Sequence, residues 1–124
     1  MIGEEKNNNK ELIEKTISYL EAKNFEDIKA DLPGYDAPKS FVKKKGEVSI
    51  AADLSAKKDG RKYFFDIGLK SKKTKLLKTK WLLLDAVSQA KSNYFRIITT
   101  RGHIRFTENL LREVNMSHKN LIRI

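Results

Sequence analysis

A chain of 124 residues, 40% of them hydrophobic, suits one domain with a modest core. It contains no Cys, which excludes disulfides and thiolate metal sites and fits a reducing compartment. No apolar run approaches the ~18 residues of a membrane span, and the polar, Asn-rich first ten residues lack an apolar signal core. A cytoplasmic protein without a membrane partner is expected.

The formal charge of +10 is unevenly spread. Residues 1–56 hold nine Lys/Arg against eleven Asp/Glu, residues 57–80 hold ten against two, and residues 81–124 hold seven against three. Concentrated basicity of this kind is an electrostatic footprint for a polyanion, so nucleic acid is the expected partner.

Residues 1–8 read as a flexible N-terminus, followed by a single domain over residues 9–124. From Asn9 to about Lys23, Leu12, Ile13, Thr16, Ile17 and Leu20 share one helical face, with Glu14, Ser18 and Glu21 opposite. Phe25 to Leu32 suggests a short extended piece, and Pro33-Gly34 and Asp36-Ala37-Pro38 mark turns. Lys43-Lys44-Lys45-Gly46 then leads into a hairpin of Glu47–Ser55 and Arg61–Lys70. Its turn, Lys58-Asp59-Gly60-Arg61, carries the Asp-Gly pair that favours two-residue hairpin loops. With that loop, Leu54 faces Phe65, Ala52 faces Ile67 and Ile50 faces Leu69 on an apolar face. Ser49 with Lys70, Ala51 with Gly68 and Asp53 with Asp66 form the other. Directly opposed like charges destabilise a sheet by a few tenths to about 1 kcal/mol; a divalent cation between Asp53 and Asp66 would compensate.

Ser71 to Asn93 reads as the main helix, with Leu76, Leu77, Trp81, Leu83, Leu84, Val87 and Ala90 in its apolar arc. Lys80 falls inside that arc. Either its stem covers apolar surface while its amine reaches water, or it projects over the polar face of the hairpin. Trp81 reads as core. Tyr94 to Thr100 reads as a strand broken by Arg101-Gly102, Thr107 as the cap of a helix from about Glu108 to Val114, and Leu121 to Ile124 as a last strand. This α-β-β-α-β-α-β order specifies an α/β fold with strands brought together by helical crossovers.

The lysines Lys72, Lys73, Lys75, Lys78 and Lys80, with Arg101 and Arg105, are candidate phosphate contacts, which give salt-dependent affinity without reading sequence. With only His103 and His118 in the chain, a His-rich zinc site is not expected. No Gly-rich phosphate loop, Ser/His/Asp arrangement or dinucleotide fingerprint is present.

The element order, with an acid-bearing hairpin leading into a helix, resembles the restriction-endonuclease-like, or PD-(D/E)xK, superfamily. Gly34-Tyr35, Pro38, Lys80-Trp81 and Arg101-Gly102-His103 are also similar to features of small bacterial proteins, which implies no function. The superfamily resemblance implies a mixed β-sheet flanked by helices and a Mg²⁺-dependent nuclease, a phosphodiester hydrolase. Asp53 and Asp66 would hold the metal ion, and Lys70 would orient the attacking water or offset charge. A small nuclease of this kind is compatible with a homodimer. The pattern departs from the superfamily's in two places: Gly68 stands where the acid preceding Lys70 belongs, and Ser49 lies opposite Lys70. The alternative reading is therefore a catalytically inactive nuclease fold that binds nucleic acid or a protein through its basic surface. Glu14 could correspond to an acid that some members add from the first helix, but it lies off the apolar face and reads as solvated.

Overall fold

The computed structural model describes residues 1–42, 49–116 and 120–124. Its elements, in chain order, are α1 (Glu5–Asn8), α2 (Lys10–Ala22), β1 (Glu26–Ala30), β2 (Ser40–Val42), β3 (Ser49–Ala51), β4 (Leu54–Lys58), β5 (Arg61–Gly68), α3 (Thr74–Ala90), β6 (Tyr94–Thr99), α4 (Ile104–Glu113) and β7 (Leu121–Arg123). A single 3₁₀ turn over Arg101–His103 precedes α4. Among the described residues no helix is long and apolar enough to cross a membrane.

The main sheet is mixed, with strand order β1-β4-β5-β6-β7. The β1–β4 and β4–β5 pairs are antiparallel, while β5–β6 and β6–β7 are parallel. The parallel pairs follow from α3 and α4, which carry the chain back across the sheet between successive strands. At the β4–β5 turn, Asp59 and Gly60 both adopt positive φ, 53° and 74°, as the two-residue hairpin turn requires. The register is the expected one, with Leu54 opposite Phe65 and Lys58 opposite Arg61.

The first hairpin arm departs from expectation. Ser49–Ala51 leaves the main sheet and pairs with β2, so that Ile50 faces Phe41 instead of Leu69. The pairings read for Ser49 with Lys70 and Ala51 with Gly68 are therefore not made; β5 also ends at Gly68, before Lys70. Glu47, Val48 and the run Lys43-Lys44-Lys45-Gly46 lie outside the described residues.

Alternation along the central strands builds two cores. Leu54, Ala56, Phe65 and Ile67 pack with Ile13, Ile17 and Leu20 of α2. On the other face, Phe64, Phe95 and Ile97 pack with Leu77, Trp81 and Leu84 of α3 and with Leu110 and Leu111 of α4. Residues 1–8, read from the sequence as a flexible end, hold α1 and insert Met1, which is buried in the α2-side core. α4 begins at Ile104, so Thr107 is an interior residue and not a cap; its hydroxyl donates to the carbonyl of His103.

Candidate functional site

Asp53 lies just before β4 and Asp66 sits near the end of β5, one pair beyond the last ladder partners Leu54 and Phe65. Their side chains replace the missing ladder bonds. The Asp53 N–H donates to Asp66 Oδ1 at 3.1 Å, and the Ile67 N–H donates to Asp53 Oδ2 at 2.9 Å. This reciprocal lock fixes both carboxylates at the junction where the chain leaves the sheet. Both residues are fully buried.

Burial of two carboxylates demands counter-charge, because an unpaired ion in the interior costs several kcal/mol. Two ammonium groups supply it. The spacing of Leu77, Lys80, Trp81, Leu84 and Ser88 makes one buried stripe on α3, which turns Lys80 toward the sheet. Lys80 Nζ donates to Asp53 Oδ1 at 3.3 Å and to the Met1 carbonyl at 2.7 Å, and lies 2.8 Å from Asp66 Oδ1. The Met1 α-ammonium donates to Asp53 Oδ2 at 2.6 Å, Asp66 Oδ2 at 3.2 Å and the Ile67 carbonyl at 3.1 Å. Trp81 Nε1 completes the shell with a 2.8 Å bond to Asp66 Oδ2. Lys6, half-buried at the edge, reaches Asp53 Oδ1 at 3.5 Å and Asp31 at 3.1 Å.

The electrostatics follow from this geometry. Burial alone would raise the Asp53 carboxyl, but the Met1 ammonium, then Lys80 and Lys6, hold it well below the ordinary carboxylate range. Burial would lower the Lys80 ammonium, whereas Asp66 first and Asp53 second hold it well above the ordinary lysine value.

Asp53 and Asp66 are thus brought together as the turn arithmetic implies. Lys70 is not: it is exposed beyond the end of β5, its backbone N–H donates to His103 Nδ1 at 3.1 Å, and among the described residues it makes no ion pair with either Asp. Lys80 departs from two expectations: it is buried, so its amine does not reach water and is no phosphate contact, and it projects instead over the polar face of the hairpin onto the two carboxylates. Gly68 has a steric cause. A Cβ there would lie 2.5 Å from Thr107 Oγ1 and 2.6 Å from its Cγ2, because α4 crosses β5 at this point. Thr99 Oγ1 seals the crossing with a 2.9 Å bond to the Gly68 carbonyl. Neither the Met1 ammonium nor the Trp81 indole was assigned to this site from sequence, since neither carries a local signal for it. Glu14 is exposed on α2, away from the pair. Among the described residues no third acidic or His side chain joins the carboxylates.

A cleft of about 410 Å³ opens against the cluster, lined by Met1, Lys6 and Lys80 together with Ile2, Ile50 and Leu76. Lys72, Lys73 and Lys75 are exposed at the start of α3, and Arg101 and Arg105 are exposed at the start of α4. The Lys70–His103 bond ties these two basic segments together. His103 is held below its usual pKa by partial burial and by Lys70, which keeps Nδ1 free to accept. Lys78 pairs with Glu113 at 3.4 Å. No protein-family model, curated protein or solved structure matches the chain.

Proposed function

We propose that the chain is a nucleic-acid-associated domain of the restriction-endonuclease-like type, acting as a Mg²⁺-dependent phosphodiester hydrolase through Asp53, Asp66 and Lys80. The observation that carries this reading is the convergence of Asp53 Oδ2, Asp66 Oδ2 and the Ile67 carbonyl on one cation, 2.6–3.2 Å away. Two carboxylates and a carbonyl are the hard oxygen donors that Mg²⁺ takes, with water completing its shell. An ion held by these residues would supply Lewis-acid activation of a phosphodiester and a water of lowered pKa.

The chain's own residues account for the rest. At Gly68, where the acid preceding Lys70 would belong, the Thr107 contact leaves no room for a side chain. Lys80 delivers an ammonium to the same carboxylates from α3 and would offset charge on the reacting phosphate. Trp81 holds Asp66 in place through its indole N–H. The exposed lysines at the start of α3 would hold the nucleic-acid backbone.

A second reading keeps the fold and the basic surface but assigns the cluster to stability alone. It is favoured by the neutrality of the four-charge cluster and by the full use of both ammonium groups. Cleavage of single- and double-stranded DNA and RNA with Mg²⁺ or Mn²⁺ separates the two. The hydrolase reading expects metal-dependent cleavage that is lost in Lys80→Met. Absence of cleavage, together with salt-dependent binding of the same oligonucleotides, selects the second.

A further inference from the structure

A cleft of about 580 Å³ lies between the β5–α3 connection and α4, lined by Lys70, Ser71, Lys72, Lys73, Phe106 and Glu5. Small-molecule sites hold about 300–1,000 Å³, so a nucleotide-sized group fits. The connection that forms one wall is fixed through its backbone. The Lys70 N–H donates to His103 Nδ1 at 3.1 Å, and the Lys73 N–H donates to Ser71 Oγ at 3.0 Å. Neither bond uses a lysine side chain. Lys70, Lys72 and Lys73 are exposed, and among the described residues none of them makes an ion pair. Phe106, in the first turn of α4, is half-buried: it packs against the α3-side core and also lines the cleft.

We propose that this cleft seats one unpaired base of a single-stranded nucleic acid, with Phe106 as the stacking surface and Lys70, Lys72 and Lys73 on the flanking phosphates. The inference rests on the nucleic-acid part of the reading above, not on its metal ion, and it narrows the substrate class to single strands. An aromatic ring among ammonium groups matches a strand in which flat π-faces alternate with anionic phosphates. A phosphate alone leaves the ring unused, and an apolar ligand leaves the lysines unused. Glu5 decides which part of the nucleotide goes inside. Its Oε1 accepts from the Ile2 N–H, and its charge on the cleft wall repels a phosphate from the interior. The phosphates are therefore left to the exposed lysines. In a duplex both faces of each base are covered by its neighbours, whereas the unstacked base of a single strand can lie on an aromatic ring.

The test measures fluorescence anisotropy of three labelled probes: an oligothymidylate, an abasic strand of the same length and a duplex. Phe106→Leu keeps the apolar bulk that the core needs but removes the aromatic face. It is expected to weaken oligothymidylate binding by at least about fivefold, the lower end of what aromatic stacking contributes per base, and to change the other two by less than about twofold. Equal weakening of all three probes, or of none, overturns the proposal and leaves the nucleic-acid reading standing. No binding of any probe by the unsubstituted chain removes both. A second measurement follows the emission of Phe106→Trp against the unsubstituted chain, whose single tryptophan, Trp81, is buried. Quenching by the oligothymidylate and not by the abasic strand is expected. An emission that responds equally to both strands overturns the seating of a base.

Discussion

The helix α3 presents lysines in two opposite circumstances. Lys80 is 5% exposed and held by two carboxylates and a carbonyl, whereas Lys72 and Lys73 just before the helix and Lys75 in its first turn are open to solvent. One ammonium is a structural charge whose removal strands its partners; the others are surface charges that touch nothing essential to the fold. The same side chain therefore has a different energetic meaning within two turns of helix. What distinguishes them is angle about the axis: Lys80 shares the stripe of Leu77, Trp81 and Leu84, and the others do not.

The largest effect expected from this contrast is at the buried end. Asp53→Asn leaves the Met1 and Lys80 ammonium groups facing one carboxylate, and breaking a buried ion pair from one side costs about 3–5 kcal/mol. Chemical denaturation measures it, with the urea midpoint expected to fall sharply. The same variant should change the acid response. The folded Asp53 carboxyl lies below its unfolded value, so its stabilisation is complete above the unfolded value of about 4 and is lost as pH falls through the folded one. Asp53→Asn should flatten stability against pH in that acid window. An unchanged slope would mean that Asp53 is not the group whose protonation drives acid unfolding.

The legibility of this site in the sequence divides along the same physical line. The pairing of Asp53 with Asp66 was readable because an Asp-Gly turn sets register and a strand has a period of two. The presence of Lys80 in an apolar arc was readable from helical angle. Lys70 does not join the pair because β5 ends at Gly68, so the strand period does not extend to it. The contact of Met1 with Asp53 and the crossing of Thr107 over Gly68 depend on chain segments distant in sequence, and no local pattern encodes them. Fold class and element order followed from periodicity; the departure of Ser49–Ala51 to pair with β2 did not, since both pairings satisfy the same alternation.

A smaller loss is expected at the crossing that excludes a side chain from β5. Gly68→Ala places a methyl against Thr107 Oγ1 and Cγ2, and overpacking of a closed core costs about 1–3 kcal/mol. The distinguishing measurement is a double-mutant cycle with Thr107→Ala, which removes both crowding atoms while leaving Cβ, 3.1 Å from the added methyl. The two changes should cost less together than the sum of each alone. Strict additivity would show that α4 does not set the requirement for glycine.

At the exposed end, replacing Lys72, Lys73 and Lys75 by Gln should leave stability within about 0.5 kcal/mol, because surface substitutions remove no buried contact. Its consequence is confined to binding. If these lysines neutralise phosphates, the slope of log affinity against log salt for duplex DNA should become shallower by about 0.9 for each contact removed. Lys78→Gln supplies the internal contrast, since Lys78 already pairs with Glu113 at 3.4 Å and is only partly exposed. It should change the slope less than any of the three. A slope unaltered by the triple replacement would move the nucleic-acid interface off this face, while equal effects at Lys75 and Lys78 would show that the Glu113 pair does not withhold Lys78 from the phosphate backbone.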